Sequence, residues 1–220
     1  MTDLPADPTL DEIRAALAGV IASNAAFDGW TPRAIDAGAD QLGIDRDVAR
    51  VAFPGGAVAM IDAWFAHVDA EMARRLPPEV LAAMKIRERI TRLVETRLDI
   101  LAPDREALRR AVAILAMPQN LARATQLGWR SADVMWRMAG DTATDYNHYT
   151  KRAILGSVYA ATITVFLSDE SEGDADTRAF LARRIEGIMR FEKAKAQLLN
   201  RGGHRLSLSR FVSRLRYPAV

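Results

Sequence analysis

Apolar residues recur at helical spacing along most of the chain, and this pattern predicts an all-α fold. In the first such run Ile13, Leu17 and Ile21 fall on one face, which predicts a helix over residues 11–27. The later runs repeat this spacing and are separated by Gly and Pro, so we expect a series of amphipathic helices in one domain, or in a small domain fused to a larger one.

Residues 1–56 form the predicted head of the molecule. Thr31 precedes Pro32, which suits the first position of a helix over residues 33–42, and Gly43 ends that helix before a short one over residues 45–51. This spacing is typical of a helix-turn-helix. Residues 31–56 carry three arginines and four aspartates, net −1, so the main attraction to DNA phosphates is missing. We therefore expect a degenerate helix-turn-helix that does not bind DNA.

Residues 57–200 carry the longer helical patterns and form the predicted body. Helices are predicted over residues 57–76, 79–101, 121–128, 131–138 and 177–200, with a further one after Asp104 and another that ends at about Leu167. The segment 153–167 is apolar nearly all round, so we expect neighbours on every side of it. The body is thus predicted to hold most of the apolar interior.

Residues 201–220 form a predicted basic amphipathic helix beyond the Gly202-Gly203 joint. Its apolar side comprises Leu208, Phe211, Val212 and Leu215, and its other sides carry Arg205, Arg210, Arg214 and Arg216. Such a helix can lie in a membrane interface, with roughly 1 kcal/mol gained per arginine near anionic lipid. The alternative is that its apolar side packs on the protein itself. The glycine joint and the lack of acids favour membrane binding.

Composition narrows the class of protein. Half of the 220 residues are hydrophobic, which suffices for a core, and the absence of cysteine excludes disulfides and thiolate chemistry. Residues 1–56 carry nine acids against four arginines, net −5, whereas residues 201–220 carry five arginines and no acid, net +5. Neither a secretory signal nor a membrane span is evident. We expect a cytoplasmic protein that associates peripherally with the inner membrane.

Candidate catalytic and metal-binding residues are sparse. The three histidines, His67, His148 and His204, are widely separated, and no Glu-x-x-His pair of the di-iron type occurs. Asp145 and His148 could share a helix face, but a metal site needs three or four ligands. Phosphate loops, nucleophile elbows and Rossmann fingerprints are also missing. We therefore expect no enzyme, no metal and no cofactor other than a bound lipid.

A sharp corner is predicted around Gly140. This glycine follows the helix over residues 131–138 and suits the left-handed turn that ends a helix. Thr142 and Asp145 have the spacing of a capping box, so a new helix should begin there and continue to about Leu167. The aromatic and polar residues that follow are unusually dense for a helix start, which indicates a packed corner.

The same stretch resembles a known family. The string W-x-x-x-G-D-x-x-T-D-Y-N-x-Y-T-K-R, from Trp136 to Arg152, is similar to the signature of the ninth Coq family, lipid-binding accessory proteins of ubiquinone biosynthesis. Phe180-Leu181 and Arg184-Ile185 extend the resemblance, which covers roughly residues 10 to 195. The signature residues singled out as structural are Gly140, Asp141, Thr142, Asp145, Asn147, Tyr149 and Arg152.

The resemblance implies a fold like that of the TetR regulators, a homodimer and a pocket for a lipid or isoprenoid quinone. It also implies a partnership with the di-iron hydroxylase of the pathway, with Trp136 at the partner-facing surface; a core tryptophan that closes the Gly140 corner is the alternative. The candidate pocket residues are Met60, Trp64, Phe65, Ile90, Leu115, Met117, Tyr149 and Phe166. The other functions left open are a ligand-responsive TetR-type repressor and a plain helical scaffold.

Overall fold

A computed structural model describes residue 5, residues 7–142 and residues 146–202; the side chains at 146, 147, 189 and 191–202 are outside the description. The contacts group the chain into two compact units, Met1–Leu181 and Ala182–Val220. The predicted boundary at residue 56 between head and body stays a prediction.

The described part of the chain is built from helices, and it contains no strand. The prediction of an all-α fold is confirmed. Short 3₁₀ turns lie at Ala102–Asp104, Pro118–Asn120 and Glu172–Asp174. The α-helices are α1 (Leu10–Asp28), α2 (Pro32–Leu42), α3 (Arg46–Val51), α4 (Gly56–Arg75), α5 (Pro78–Ala82), α6 (Ile86–Leu101), α7 (Arg105–Leu115), α8 (Leu121–Met138), α9 (Tyr146–Ser168) and α10 (Ala175–Gly202).

The helices of the head begin and end close to the predicted residues. Pro32 is the first residue of α2, and Gly43 follows it with a left-handed φ of 67°. Thr31 stands at the N-cap position, but its hydroxyl donates to the Asp28 carbonyl instead of accepting from α2. The predicted order of helix, glycine turn and short helix is therefore present, without side-chain capping by Thr31, and the helix-turn-helix head stays a prediction.

The single helix predicted over residues 79–101 is two helices, α5 and α6. Lys85 lies between them with an extended backbone, and Glu88 Oε2 accepts the Lys85 backbone N–H at 3.0 Å. Arg89 donates to the free carbonyls of Ala82 and Met84, at 3.3 and 2.9 Å. The apolar residues keep helical spacing across the break between α5 and α6, so the sequence pattern did not reveal it. Side-chain hydrogen bonds stabilise the break.

The two segments predicted over residues 121–128 and 131–138 are one helix, α8. Gly128 lies in its interior, where a glycine costs about 1 kcal/mol but does not end a helix. At this point α9 approaches closely, since a β-carbon at Gly156 would lie 3.8 Å from the Gly128 carbonyl oxygen. A β-carbon would fit at both positions, since one at Gly128 would have no neighbour within 4 Å, so the packing of α8 on α9 does not itself require glycine there.

Helix α9 has one exposed stripe, so the prediction of neighbours on every side was wrong for the single chain. Leu155, Tyr159 and Phe166 are buried, whereas Ser157 and Thr164 on the other side are exposed. The exposed residues are small or weakly polar, which is why the sequence of this segment read as apolar all round.

Candidate functional site

The corner after α8 has the geometry that its glycine predicted. Gly140 has a left-handed φ of 89°, its N–H donates to the Arg137 carbonyl, and the Asp141 N–H donates to the Trp136 carbonyl, both at 3.0 Å. These two bonds form a Schellman motif, which satisfies the last carbonyls of the helix. The chain then turns back so that α9 packs along α8.

Two signature residues, Asp141 and Arg152, form a buried ion pair inside the corner. Arg152 Nη1 donates to Asp141 Oδ2 at 3.0 Å, and the two side chains are only 2% and 5% exposed. Arg152 Nε also donates to Asp133 Oδ1 at 2.6 Å, and Lys151 Nζ donates to Asp141 Oδ1 at 2.7 Å. Arg152 therefore joins α8, the corner and α9.

The charges around Asp141 keep it ionised. Its burial alone would raise the pKa of the carboxyl group, but the hydrogen bonds from Lys151 and Arg152 outweigh burial and lower that pKa below its usual value. The carboxylate is therefore a permanent acceptor for both cations near neutral pH.

Trp136 also contributes to the corner. Its indole Nε1–H donates to the Lys151 carbonyl at 3.0 Å, and the Lys151 ammonium lies 5.3 Å from the ring centroid. The side chain is half-buried. Trp136 thus contacts the corner, as the predicted alternative of a core tryptophan expects, but it is not fully buried in the core; its contact with a partner stays a prediction.

Tyr149 lies on the surface, unlike the signature residues Asp141 and Arg152. It is 62% exposed, and its ring lies 6.1 Å from that of Trp129 on α8, which is 37% exposed. His148 packs edge-on against Tyr149 with a centroid distance of 5.1 Å. We call Trp129, His148 and Tyr149 the aromatic cluster. This exposed cluster lies next to the corner, whose interior holds the buried ion pair of Asp141 and Arg152.

Arg89 was missed by sequence reasoning. Its Nη1 donates to the Ala139 carbonyl at 2.8 Å, and it would lie 3.1 Å from a β-carbon at Gly140. The same guanidinium bonds two carbonyls near the end of α5. In the sequence Arg89 is one charge among several on α6, so no local pattern distinguishes it.

Several predicted signature contacts fall outside the described residues. The capping partner Asp145 lies in the segment 143–145, and the side chain of Asn147 is not described either. Thr142 is described and exposed. The structure gives α9 from Tyr146, so the capping box of Thr142 and Asp145 stays a prediction.

The candidate pocket residues divide into an interior and a surface group. Met117 and Tyr149 are 43% and 62% exposed, so they do not line an interior enclosed by this chain alone. Phe65 is half-buried. The buried candidates, at 8% exposure or less, are Met60, Trp64, Ile90, Leu115 and Phe166. Lipid contact by any of them stays a prediction.

The arginines of α3, the helix that would read DNA, are held by carboxylates of the head. Arg46 bonds Asp40 through two contacts of 2.6 and 2.8 Å, and Arg50 bonds Asp36 at 2.7 Å. These aspartates neutralise the positive charge that would attract phosphate. We therefore expect no mobility shift of promoter DNA at ~150 mM salt, where weak electrostatic contacts are screened. A shift that persists at this salt concentration would support the repressor alternative.

Comparison with known proteins identifies the family. The COQ9 family profile matches residues 121–192, which include the whole corner. "Ubiquinone biosynthesis protein COQ9, mitochondrial" of Rattus norvegicus is 34% identical over 180 residues, 79% of this chain and 58% of the rat protein. The protein of the same name from Homo sapiens is 32% identical over 181 residues, 79% of this chain and 57% of the human protein. The chain belongs to the COQ9 family. The resemblance predicted from the signature is thus confirmed, and the chain spans less than two thirds of the length of these COQ9 relatives.

A solved structure supports the fold expected for a COQ9 chain. The TetR transcriptional regulator from Nitrosomonas europaea superposes with a TM-score of 0.63 at 24% identity, over 79% of this chain and 96% of the regulator. The prediction of a TetR-like fold is confirmed. At this identity the likeness concerns the fold alone.

The predicted membrane-binding residues of this COQ9 chain are Leu208, Arg210, Phe211, Val212, Arg214 and Leu215, and they lie outside the described residues. Among the helices that the structure does describe, none has the length and apolar character needed to cross a bilayer. Membrane docking through residues 201–220 stays a prediction from the sequence.

Proposed function

We propose that this chain is a non-enzymatic, lipid-binding accessory factor of ubiquinone biosynthesis. It binds polyprenyl-quinone intermediates, docks peripherally on the cytoplasmic side of the inner membrane and presents them, as a homodimer, to the di-iron hydroxylase of the pathway. Membership in the COQ9 family supports the pathway, because the curated relatives are named for ubiquinone biosynthesis.

The observation that carries the presentation step is the exposure of Tyr149. Asp141 and Arg152 are buried and fully engaged, so their place in the signature is explained by the corner they hold. Tyr149 lies on the same helix but is 62% exposed. Aromatic side chains that stay in solvent on a rigid support are typical anchors of protein interfaces. The aromatic cluster is the surface we assign to the hydroxylase.

The two alternative functions have less support. A TetR-type repressor needs free basic side chains on α3, and those of Arg46 and Arg50 are paired with aspartates. A plain scaffold does not require an exposed aromatic cluster at its most distinctive sequence motif. Lipid presentation accounts for the family, the cluster and the basic tail together.

Truncation after Arg201 tests membrane docking. A long isoprenoid chain resides in the bilayer, so a soluble carrier needs an element that reaches it there. The truncated protein should keep its melting temperature and dimer but lose binding to anionic liposomes, and it should form less ubiquinone in cells. The tail carries net +5, so binding by the intact chain should also weaken with salt.

Two single substitutions make this test specific. Phe211→Glu places a charge on the apolar side of the tail and should act like the truncation, whereas Ser209→Glu, off that side, should act more weakly. Full liposome binding by the truncated protein would contradict membrane docking by residues 201–220.

A further inference from the structure

The connection between α7 and α8 carries no charge. Residues 111–122 are twelve consecutive residues without an acidic or basic side chain, where about three would be expected from the 26% charged residues of the chain. The stretch includes the end of α7, the 3₁₀ turn Pro118–Asn120 and the start of α8. We call residues 111–122 the uncharged joint.

The uncharged joint presents apolar side chains to solvent. Met117 is 43% exposed and Leu121 is 52% exposed. A surface helix ordinarily carries polar residues on its outer side, so packing of the core does not account for this composition. A contiguous exposed apolar surface marks an interaction site. The other exposed apolar residues of the joint are Ala113, Ala116, Pro118 and Ala122.

The polar groups of the uncharged joint bond to each other. The Asn120 side-chain amide donates to the Ile114 carbonyl, and the Asn120 backbone N–H donates to the Met117 carbonyl, both at 2.8 Å. One turn into α8, the Thr125 hydroxyl donates to the Leu121 carbonyl at 2.9 Å. Because a polar group without a partner is costly to remove from water, these bonds lower the cost of moving the joint into an apolar environment.

Positive charge lies directly before the uncharged joint. Residues 105–130 hold five arginines and one acidic residue, net +4. On α7, Arg109 and Arg110 share the carboxylate of this acid, Glu106, at 3.2 and 3.1 Å. Both arginine side chains are about half exposed, so this side of the joint presents one positive charge in excess.

Positive charge also lies directly after the uncharged joint. On α8, Arg123 and Arg130 share the carboxylate of Asp62, and both arginines are partly exposed. Asp69 lies 3.8 Å from Arg130 and is also bonded by Arg97, so these three arginines and two aspartates carry net +1. A second copy of the chain would set like charges against each other here, whereas an anionic surface is attracted from both sides.

We propose that the uncharged joint is a second membrane contact of this chain, where Met117 and Leu121 enter the boundary between headgroups and acyl chains of an anionic bilayer. Apolar residues flanked by arginines suit this boundary, because the arginines reach the lipid phosphates. Met117, predicted from the sequence to line the pocket, is thereby assigned to the membrane surface.

The inference rests on the proposed membrane docking and deepens it. Two half-exposed side chains bind a bilayer weakly, and stable attachment of a peripheral protein takes more than one contact. Residues 201–220 therefore supply most of the affinity, and the uncharged joint determines which side of residues 1–181 faces the membrane.

The absence of cysteine allows a direct test, because one introduced cysteine takes a fluorescent label at a single position. Met117→Cys in the full chain is labelled with an environment-sensitive dye and mixed with vesicles of phosphatidylglycerol and phosphatidylcholine. We expect a blue shift of the emission, and quenching when the lipid acyl chains are brominated. A dye covered by protein would not be quenched by brominated lipid.

Val51→Cys on α3 is the matched control, since Val51 is also apolar and 60% exposed. Arg14 Nε donates to the Ala52 carbonyl at 2.8 Å, which places α3 beside the first half of α1. Trp30, just after the other end of α1, bonds Ala107 of α7 at 3.0 Å. Since the 19 residues of α1 span about 28 Å, the control position lies far from α7, and its label should not change.

Leu121→Glu should weaken vesicle binding by about tenfold or more, because it removes apolar surface from the contact and repels anionic lipid. Leu121 is exposed and is the first residue of α8, where an acidic side chain suits the helix dipole, so the melting temperature should not fall. Val51→Glu changes the charge equally and should leave binding almost unchanged.

Vesicle binding by the intact chain without any change at the Met117 label would overturn the membrane contact of the joint, while docking by residues 201–220 stands. Equal changes at the Met117 and Val51 labels would also overturn it. So would a change at Met117 that needs no vesicles and grows with protein concentration, which would assign the joint to contact between copies. Failure of the intact chain to bind vesicles would contradict membrane docking itself, and the joint with it.

Discussion

Arg152→Met is expected to lower the free energy of unfolding by about 3 kcal/mol, because it leaves buried carboxylates without their main partner. Arg152 is 2% exposed and bonds both Asp141 and Asp133. Lys151 can still neutralise Asp141, which places the effect at the lower end of the range for broken buried pairs. Urea unfolding followed by circular dichroism measures it.

Arg137→Met is the control for this prediction. Arg137 pairs with the same Asp133 at 2.9 Å, but its side chain is 72% exposed. Exposed pairs contribute less than ~1 kcal/mol, so the loss should be small. If the two substitutions cost the same, the buried pairs do not hold the corner as described.

Tyr149→Lys is expected to weaken binding to the hydroxylase by roughly 30-fold or more, the loss typical of an aromatic hot spot. Because Tyr149 is 62% exposed, the melting temperature should change little. Co-purification and surface binding measurements with the hydroxylase give the result.

Trp136→Lys should differ, because it also breaks the hydrogen bond to the Lys151 carbonyl and should lower stability as well as binding.

Phe27→Lys is the matched control for Tyr149→Lys. Phe27 is an aromatic residue on α1 that is 87% exposed and takes no part in the aromatic cluster. It should leave binding unchanged. Full affinity in Tyr149→Lys, or an equal loss in Phe27→Lys, would exclude the aromatic cluster as the specific docking surface.

The fold was largely predictable because its signals are local. Pro32, Gly43 and Gly140 mark helix ends through backbone geometry that depends on a few neighbouring residues. The break before α6 was not predictable in this way. Its contacts are made by Glu88, which accepts the Lys85 N–H, and by Arg89, which bonds the Met84 carbonyl and also the Ala139 carbonyl fifty residues later, and neither glycine nor a predicted cap residue marks it in the sequence.

The sequence predicted which residues form the candidate site, but not which of them are buried and which are exposed. The signature identified Asp141, Tyr149 and Arg152, yet nothing in the string separates the buried pair from the exposed tyrosine. Burial depends on how α9 packs on α8, which is a tertiary property. The contacts of Asp69 with Arg97 and Arg130 were missed for the same reason, since these residues lie on three helices that are far apart in the sequence.

Organic extraction of the purified full-length chain, followed by mass spectrometry, tests the central claim most directly. Lipid binding predicts an isoprenoid quinone intermediate or a phospholipid, in an amount approaching one molecule per chain and well above that of a helical protein of similar size prepared in parallel. An extract without lipid above that background would contradict lipid presentation and favour the plain helical scaffold.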